Sequence, residues 1–482
     1  MENDIRNFEP KIVWEYFDDI CKIPRPSKKE EKIIKFLKDF GNKFKLETLE
    51  DETGNILIRK DACPGFENKP SVVLQSHMDM VCEKNADTEF DFDNDAIIPR
   101  IDGEWVKATG TTLGADDGIG VATQLAILAS SDIEHGPIEC LFTIDEETGL
   151  TGAFGLKPGF VESEILLNLD SEDEGELFIG CAGGIDTLIE MEYETESLND
   201  YSYYNITVNG LNGGHSGDEI QKGLGNAVKL MNRILWEATD KVGLRLANLK
   251  AGNLRNAIAR EGFAHIAIPT INKDEFAELF NKLKFEITSE YQITEKNLNI
   301  ACETSNEKKD VLIIEYQTSL LNALYSCPHG VIAWSQSIAN FVETSTNLAS
   351  IKMENNKAYI TTSQRSSVES AKDDIANMVA ATFRNIGAYV EHGDGYPGWS
   401  PNTQSKVLKQ TAESYEKLFG NKPKVLAIHA GLECGLIGET YPKMDMISFG
   451  PTIKGAHSPD ERLKIDTVKM FWDLTLDVLK NI

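Results

Sequence analysis

Short apolar runs alternate with amphipathic segments over the first third of the chain. Residues 71–74 (SVVL), 138–144 (IECLFTI) and 164–169 (EILLNL) are largely apolar runs, which is typical of strands buried on both faces. Residues 30–40 and 118–130 instead repeat apolar positions at the three- and four-residue spacing of helices. This alternation predicts an α/β domain in which a mostly parallel sheet lies between helices.

From about residue 201 onward, the pattern is that of an α+β domain. A strand at 204–208 is followed by a helix with one apolar face at 227–235, then by a pair of strands and a helix at 273–283. The same order is predicted again downstream, at 311–316 (strand), 330–342 (helix), 351–362 (strand pair) and 370–383 (helix). We therefore expect two half-copies of one unit, although no residue-by-residue identity between them is evident.

The segment 393–399 (GDGYPGW) is rich in glycine and proline, and we interpret it as the return to the first domain. Another buried strand is predicted at 444–449 (MDMISF). The expected organisation is a catalytic domain formed by residues 1–184 and 396–482, with a lid domain inserted at 185–395.

Charge and composition exclude several classes of protein. The 482 residues carry 48 Lys and Arg against 77 Asp and Glu, a formal net charge of −29, so binding to nucleic acid or to an anionic membrane surface is disfavoured. No secretory signal and no run of 18 apolar residues is present. The eight cysteines are scattered without a CxxC pair. We expect a cytoplasmic protein with neither a nucleic-acid nor a membrane partner.

Acidic residues and histidines follow the ends of the predicted buried strands. The carboxyl ends of parallel strands converge on one edge of a sheet, where α/β proteins bind their ligands. Residues of this kind follow the strands at 71–74, 138–144, 164–169 and 444–449, and one pair precedes the helix at 118–130; they are His77 and Asp79, Glu146 and Glu147, Asp170, His457, and Asp116 with Asp117.

Such a cluster favours metal binding, because carboxylates held close together must either be protonated or bind cations. Nitrogen and oxygen ligands without thiolate suit zinc or a neighbouring first-row ion, and a shared carboxylate can hold two ions roughly 3.5–4 Å apart. Taken singly, each element has a simpler reading: a structural His-x-Asp, a solvated glutamate turn, or a helix cap. The repetition at strand ends favours the metal site.

Five segments carry a resemblance to a known family. The chain closely resembles the cytosolic aminoacyl-histidine dipeptidases (Xaa-His dipeptidases, peptidase D) of the dinuclear zinc exopeptidase superfamily, which also includes carnosinases, tripeptidase T, succinyl-diaminopimelate desuccinylase and aminoacylases. The resemblance spans nearly the whole chain and rests on LQSHMDMVCEKN, TTLGADDGIG, TIDEETGLTGA, NLDSEDEGELFIGCAGG and SFGPTIKGAHSPDERL.

The resemblance implies roles for the matching residues. It implies two divalent metal ions, with zinc favoured and cobalt or manganese as alternatives. Asp79 would orient a ligand, Glu146 would be the general base, and Asp116 would bridge the ions, with a cis peptide bond to Asp117. The implied metal ligands are His77, Asp116, Glu147, Asp170 and His457, with Glu147 and His457 completing the shell of one ion and Asp170 that of the other.

Four further residues match positions that contact the substrate in such enzymes. His215 in LNGGHSGDEI would stabilise the oxyanion, although a histidine in a glycine-rich loop is equally a turn residue. Asn256 and Arg365 would bind the free C-terminal carboxylate, and Gly431 would offer a backbone contact. A surface salt bridge is the alternative role for Arg365. The remaining histidines receive no role.

The leading hypothesis is a cytosolic metal-dependent dipeptidase that hydrolyses Xaa-His, including β-alanyl-His, and other unblocked dipeptides. Its substrates would be small peptides. A tripeptidase or an N-acyl amino acid amidohydrolase is the alternative on the same fold, because fold does not settle substrate. A non-catalytic metal-binding protein is disfavoured by the presence of Asp79 and Glu146. A homodimer is left open, as is whether His215 acts in its own chain or in a partner's site.

Overall fold

The computed structural model describes residues 4–482. Its helices are α1 Lys11–Cys21, α2 Glu31–Phe44, α3 Ala115–Ala129, α4 Glu146–Gly149, α5 Thr151–Gly155, α6 Ala227–Val242, α7 Lys273–Glu290, α8 Ile314–Ser326, α9 Glu369–Arg384, α10 Lys406–Phe419, α11 Glu433–Thr440 and α12 Ile465–Asn481. No helix in this part of the chain is long and apolar enough to cross a membrane.

The strands complete the secondary structure. They are β1 Glu47–Glu50, β2 Ile56–Lys60, β3 Val72–His77, β4 Arg100–Asp102, β5 Trp105–Lys107, β6 Ile138–Thr143, β7 Ile165–Asn168, β8 Glu176–Cys181, β9 Gly183–Glu192, β10 Thr195–Glu196, β11 Tyr201–Asn209, β12 Arg245–Ala251, β13 Gly262–Pro269, β14 Asn299–Ser305, β15 Val311–Leu312, β16 Gly330–Trp334, β17 Val342–Glu354, β18 Lys357–Ser366, β19 Tyr389–His392, β20 Lys424–Ile428, β21 Asp445–Ser448, β22 Ile453–Lys454 and β23 Arg462–Lys464.

The chain folds into two compact units. The first comprises the described residues up to Gly180 together with Trp399–Ala427 and Leu432–Ile482. The second comprises Cys181–Gly398 and the short segment Ile428–Gly431. This segment joins the second unit because the Ala182 N–H donates to the carbonyls of Ile428 and Ala430, at 3.0 and 3.1 Å.

The first unit contains an eight-stranded sheet in the order β1-β2-β6-β3-β7-β21-β8-β20. The central strands β6, β3, β7 and β21 are mutually parallel, whereas β1, β2 and β6 pair antiparallel at one side and β21 pairs antiparallel with β8 at the other. Every residue of β3 and β6 is buried, which accounts for their apolar sequences. The carboxyl ends of the four parallel strands therefore lie at one edge of the sheet.

The second unit is built on a nine-stranded antiparallel sheet. Eight of its strands follow the order β14-β11-β13-β12-β17-β18-β9-β19, and β16 pairs with β17. From the centre outward, one half contains the hairpin β12–β13, then β11, which precedes the hairpin in the chain, and β14, which follows it. The other half contains the hairpin β17–β18, then β9, which precedes it, and β19, which follows it. The helices that flank each hairpin, α6 and α7 or α8 and α9, contribute to one shared hydrophobic core. The order of elements is thus symmetric about the β12–β17 pair.

The strand register reveals a sequence repeat inside the two hairpins. Lys250 on β12 pairs with Lys352 on β17 at the centre of the sheet. A register shift follows Leu246 in the first hairpin and Leu348 in the second. The segments 246–250 (LANLK) and 348–352 (LASIK) therefore occupy matching positions, with an alanine at each bulge. This similarity supports the two half-copies.

Two predicted elements in the second half-copy are wrong. The strand predicted at 311–316 ends at Leu312, and helix α8 begins at Ile314 because the following residues have helical spacing, with Gln317, Leu320, Leu321 and Leu324 buried. The helix predicted at 330–342 is instead strand β16 followed by a loop. Pairing with β17 decides this segment, and the strand that matches β11 in the second half-copy is β9.

Candidate metal centre and substrate-binding residues

Asp116, near the start of α3, lies between two histidines. Its Oδ1 is 3.1 Å from Nε2 of His77, the last residue of β3, and its Oδ2 is 3.3 Å from Nε2 of His457. Asp170 Oδ1 lies 3.5 Å from the same atom of His77, and Glu147 Oε2 lies 3.0 Å from that of His457. The five predicted metal ligands thus form two three-residue groups that share Asp116.

The donor set fits divalent cations. In each group, one imidazole nitrogen and two carboxylate oxygens lie within 4.8 Å of one another. The second oxygen of Glu147, Oε1, is buried without a hydrogen-bond partner among the described residues, and an unsatisfied buried carboxylate oxygen is costly unless it binds a cation. Nitrogen and oxygen donors in these numbers suit zinc and its first-row neighbours. The two groups could therefore hold two ions.

The charges of the cluster also favour the binding of cations. Burial raises the pKa of Asp170 to about 7, partly opposed by His77 and reinforced by the neighbouring carboxylate of Asp116. Hydrogen bonds to Asp116 and Glu147 raise the pKa of His457 to about 11. Without cations, protons on Asp170 and His457 thus offset part of the carboxylate charge, and divalent cations would replace those protons.

Asp79 is fully buried and connects the two sides of the centre. Its Oδ1 lies 3.3 Å from His77 Nδ1 and accepts a hydrogen bond from the backbone N–H of Glu146 at 3.0 Å. Its Oδ2 accepts from the Glu147 N–H at 3.3 Å and from the Ser27 hydroxyl at 2.8 Å. The same carboxylate therefore fixes the backbone of the glutamate pair and lies beside the imidazole, and its role in orienting that ring stays a prediction.

A strained turn presents the two glutamates. Asp145, which follows β6, has a φ of 48°, in the left-handed region that few non-glycine residues adopt. Its carboxylate accepts hydrogen bonds from the hydroxyls of Thr148 and Thr151, and its N–H donates to Glu30 Oε1 at 3.0 Å. These contacts hold the start of α4 at the end of the strand.

Glu146 lies beside the metal centre, and its position alone does not distinguish a general base from a metal ligand. Burial raises its pKa well above the usual range, against the effect of His77, and the charges of Asp170 and Glu147 raise it further. One oxygen of Glu146 also lies within 4.8 Å of His77 and Glu147. Its assignment as base, and that of Glu147 as ligand, stay predictions.

Two buried residues that sequence reasoning missed hold the Asp116 loop. Glu461 accepts hydrogen bonds from four consecutive backbone N–H groups, those of residues 113–116, at 2.6–3.2 Å. The Arg25 guanidinium donates to the carbonyls of Met78, Asp79 and Gly114. Gly114 has a φ of 70°, and a Cβ there would lie 2.5 Å from Arg25 Nη2, so glycine is required. No local pattern marks either charged residue.

A third missed residue, Glu433, is buried near the ends of β3 and β6. Its Oε2 accepts from Gln75 Nε2 at 2.5 Å and from the Thr143 hydroxyl at 2.7 Å. Burial raises its pKa to about 7. The order HAGLECG, in which the acid follows apolar residues, gave no signal for it.

Asp117 lies directly after the shared carboxylate, and the bond between Asp116 and Asp117 is cis. The Asp117 side chain is buried, and its Oδ1 accepts from the Gly120 N–H at 3.1 Å, near the start of α3. This contact gives Asp117 a structural role in fixing the helix.

The second unit holds the predicted substrate-binding residues. His215 and Asn256 belong to adjacent loops, since His215 pairs with Ala257 and the Ser216 N–H donates to the Asn256 carbonyl at 2.8 Å. His215 Nδ1 lies 3.3 Å from Asp218 Oδ2. The hydrogen bond to His215 and the charges of Arg365 and His429 hold the pKa of Asp218 below its usual value. Asp218 was not predicted.

Arg365 lies on β18, paired in register with Ser345 on β17 and Gly184 on β9. Its side chain is buried, with 8% of the residue exposed, and its Nε has no hydrogen-bond partner among the described residues. Within the same part of the chain, no carboxylate lies within 4.0 Å of the guanidinium. The alternative of a surface salt bridge is therefore wrong.

Gly431 and His429 lie in the short segment of the second unit. A Cβ on Gly431 would lie 2.9 Å from the ring of Tyr396. His429, to which sequence reasoning gave no role, is buried, and its Nε2 lies 2.7 Å from the Ser345 hydroxyl. Burial lowers its pKa to about 3, so its imidazole is neutral.

Comparisons with known proteins identify the family. The model of peptidase family M20/M25/M40 matches residues 73–481. The cytosol non-specific dipeptidase of Escherichia coli (strain K12) is 43% identical over 481 residues, covering 100% of this chain and 99% of that protein.

Solved structures agree with this match. The aminoacylhistidine dipeptidase of Vibrio alginolyticus superimposes with a TM-score of 0.93 at 46% identity, covering 99% of this chain and 98% of that one. The aminopeptidase PepT of Bacillus cereus ATCC 10987 shares the fold, with a TM-score of 0.62 at 17% identity and 98% of both chains covered. The predicted fold class and resemblance are confirmed: the chain belongs to peptidase family M20/M25/M40.

Proposed function

We propose that this protein is a cytoplasmic metal-dependent dipeptidase that hydrolyses unblocked dipeptides, including Xaa-His. The observation that carries the proposal is the Asp116 carboxylate shared between two ligand groups, with the Glu146 and Glu147 pair held beside them by Asp79. The full-length similarity to a protein named cytosol non-specific dipeptidase supports the substrate class and the compartment.

In this proposal, the five ligands hold two divalent ions, with zinc favoured and cobalt or manganese as alternatives. Such ions, when bound, lower the pKa of water and polarise the scissile carbonyl. Glu146 accepts the proton of the attacking water as its oxygen adds to the carbonyl carbon. Glu146 then delivers that proton to the amine nitrogen as the carbon–nitrogen bond breaks. Asp79 holds the His77 imidazole and the backbone of the glutamate pair in position during both steps.

His215 is the proposed donor to the developing oxyanion. Nδ1 of His215 accepts a hydrogen bond from the Asp218 backbone N–H at 3.3 Å, so in this tautomer Nε2 carries the hydrogen and can donate to the oxyanion. Asn256 and Gly431 are proposed to contact the substrate.

Arg365 is proposed to bind the C-terminal carboxylate of the substrate. A buried guanidinium without a carboxylate partner is an unbalanced charge, and an anionic ligand compensates it through paired hydrogen bonds. A free carboxylate at a fixed position is the feature that distinguishes a short unblocked peptide from an internal peptide segment.

A substrate screen tests the function, and the metal content of each protein sample is measured alongside. We expect kcat/KM to be highest for unblocked dipeptides, Xaa-His and β-alanyl-His among them, and lower for tripeptides and N-acyl amino acids. A preference for tripeptides or for N-acyl amino acids would replace the dipeptidase assignment with one of those activities. Failure to hydrolyse any of the three classes with metal bound would reject a peptidase function.

Arg365→Ala is expected to raise the KM for free dipeptides by roughly a hundredfold, because loss of one partner of a buried charge pair costs a few kcal/mol. Metal content should not change. Arg233→Ala is the matched control, since Arg233 lies in the same unit and pairs with Glu290. An unchanged KM in Arg365→Ala would remove Arg365 from substrate binding.

A further inference from the structure

The loop at 393–399, which the sequence marks only by its glycines and proline, is fixed on the second unit by its backbone. The Tyr396 N–H donates to the Gly184 carbonyl at 2.8 Å, and the Gly184 N–H donates back at 3.0 Å. The buried Lys372 ammonium donates to the Tyr396 carbonyl at 2.7 Å. The Gly398 N–H donates to Glu369 Oε1 at 2.6 Å. Strand β9 and helix α9 thus determine the position of Tyr396.

The Tyr396 side chain has little freedom within this framework. Its ring lies against two glycines: a Cβ on Gly184 would be 2.8 Å from the ring, and one on Gly431 would be 2.9 Å from it. These distances are too short for any larger residue unless the ring shifts. The phenol oxygen is therefore held at a fixed point.

At that point, the phenol accepts a hydrogen bond from Arg365 Nη1 at 2.9 Å. A guanidinium can bind a carboxylate side-on through Nε and one terminal nitrogen. Nη1 carries two hydrogens and donates one of them to Tyr396, whereas both nitrogens of the Nε–Nη2 edge are left to bind an anion. Nε is the buried donor without a partner among the described residues.

We propose that Tyr396 is a positioning residue for Arg365: it fixes the guanidinium so that the Nε–Nη2 edge binds a substrate carboxylate side-on. This inference rests on the proposed function, because it concerns the carboxylate-binding role of Arg365. Gly184 and Gly431 serve it by leaving room for the ring. The loop then determines how strongly the enzyme prefers a free C-terminus.

The test compares Tyr396→Phe with the wild-type protein on a dipeptide and on its C-terminal amide. We expect the KM for the free dipeptide to rise about tenfold, the loss typical of one hydrogen bond to a charged group, with kcat changed less than twofold. For the amide, kcat and KM should both stay within twofold. The ratio of kcat/KM between acid and amide therefore falls about tenfold.

Three further variants make the test specific. Tyr203→Phe is the matched control, because the Tyr203 hydroxyl lies in the same unit and donates to the Lys309 carbonyl at 3.1 Å; it should leave the ratio unchanged. Gly184→Ala, which displaces the ring, should lower the ratio as Tyr396→Phe does. In an Arg365→Ala background, Tyr396→Phe should have no further effect on the ratio.

Three results would overturn the proposal. They are an unchanged acid-to-amide ratio in Tyr396→Phe, equal losses on acid and amide together with a lower Tm, and additive effects of Tyr396→Phe and Arg365→Ala. If the wild-type protein hydrolyses neither dipeptide nor amide, the proposed function fails instead. If the wild-type enzyme hydrolyses dipeptides and Tyr396→Phe has the same acid-to-amide ratio as wild type, the proposed function stands and only the role of Tyr396 is rejected.

Discussion

Glu146→Gln is expected to lower kcat for dipeptides by about a thousandfold while both metal ions remain bound. The amide keeps the size of the side chain and cannot accept a proton, and general acid–base catalysis contributes about 10²–10⁴-fold to such rates. The backbone N–H of residue 146 still donates to Asp79, so the turn keeps its position. Steady-state kinetics with metal analysis of the same samples measures both quantities.

Two other glutamates supply the controls for this variant. Glu147→Gln changes a proposed ligand, and we expect it to lose metal as well as activity. Glu164→Gln changes an exposed side chain before β7, and neither quantity should move. Activity of Glu146→Gln within tenfold of wild type would refute its role as the base, and loss of metal from this variant would make it a ligand.

Exhaustive chelation is expected to abolish dipeptide hydrolysis, and zinc, cobalt or manganese should restore it. Without cations, Asp170 and Glu146 favour their protonated forms, because burial and neighbouring carboxylates raise the pKa of each. Such a centre cannot polarise the scissile carbonyl. Titration of metal back into the protein, followed by activity and by the quantity of bound ion, should reach full activity near two ions per chain.

Asp116→Asn provides the matched variant for the metal experiment. Because Asp116 faces both histidines, its loss should weaken both groups and lower the stoichiometry below one ion per chain under the same conditions. Hydrolysis that persists after the metal has been removed would contradict a metal-dependent mechanism. Saturation at one ion would restrict the centre to a single site.

Much of the first unit could be predicted because most of its candidate metal ligands follow the ends of buried strands. Strands β3, β6 and β7 are short and wholly or mainly buried, so their apolar sequences give their position directly. A parallel sheet then places the residues after them at one edge. The grouping of Glu147 with His457, with Asp170 at the other ion, came from the family resemblance and not from local spacing, because distances across strands are not encoded there.

The residues that position the site were not predictable in the same way. Glu461 supports a loop more than 340 positions away in the chain, and Arg25 bridges that loop and the segment after β3. Tyr396 contacts Arg365 only because a loop is fixed on β9. A charged or aromatic residue in a loop has no periodicity, so its partner is determined by the tertiary fold alone.

The internal repeat shows a different limit. LANLK and LASIK are alike, yet they lie in strands whose flanking elements differ in length, and only the shared bulge aligns them. The segment at 330–342 has apolar spacing compatible with a helix, while β-sheet pairing with β17 determines its structure. Tertiary pairing overrode the local pattern there.

The two halves of the nine-stranded sheet differ at the position of Arg365. Phe263 and Tyr359 occupy matching positions, each opposite the lysine of its hairpin, so the position that matches Arg365 is Pro269, the last residue of β13. Proline has no side-chain donor. A dipeptide has a cationic and an anionic end, and a scaffold with two identical halves would treat them alike. In the proposed function, Arg365 binds the anionic end of the dipeptide while the matching position of the other half offers no donor. The duplicated framework would then have a polarity, which lets a single chain distinguish the two ends of its substrate.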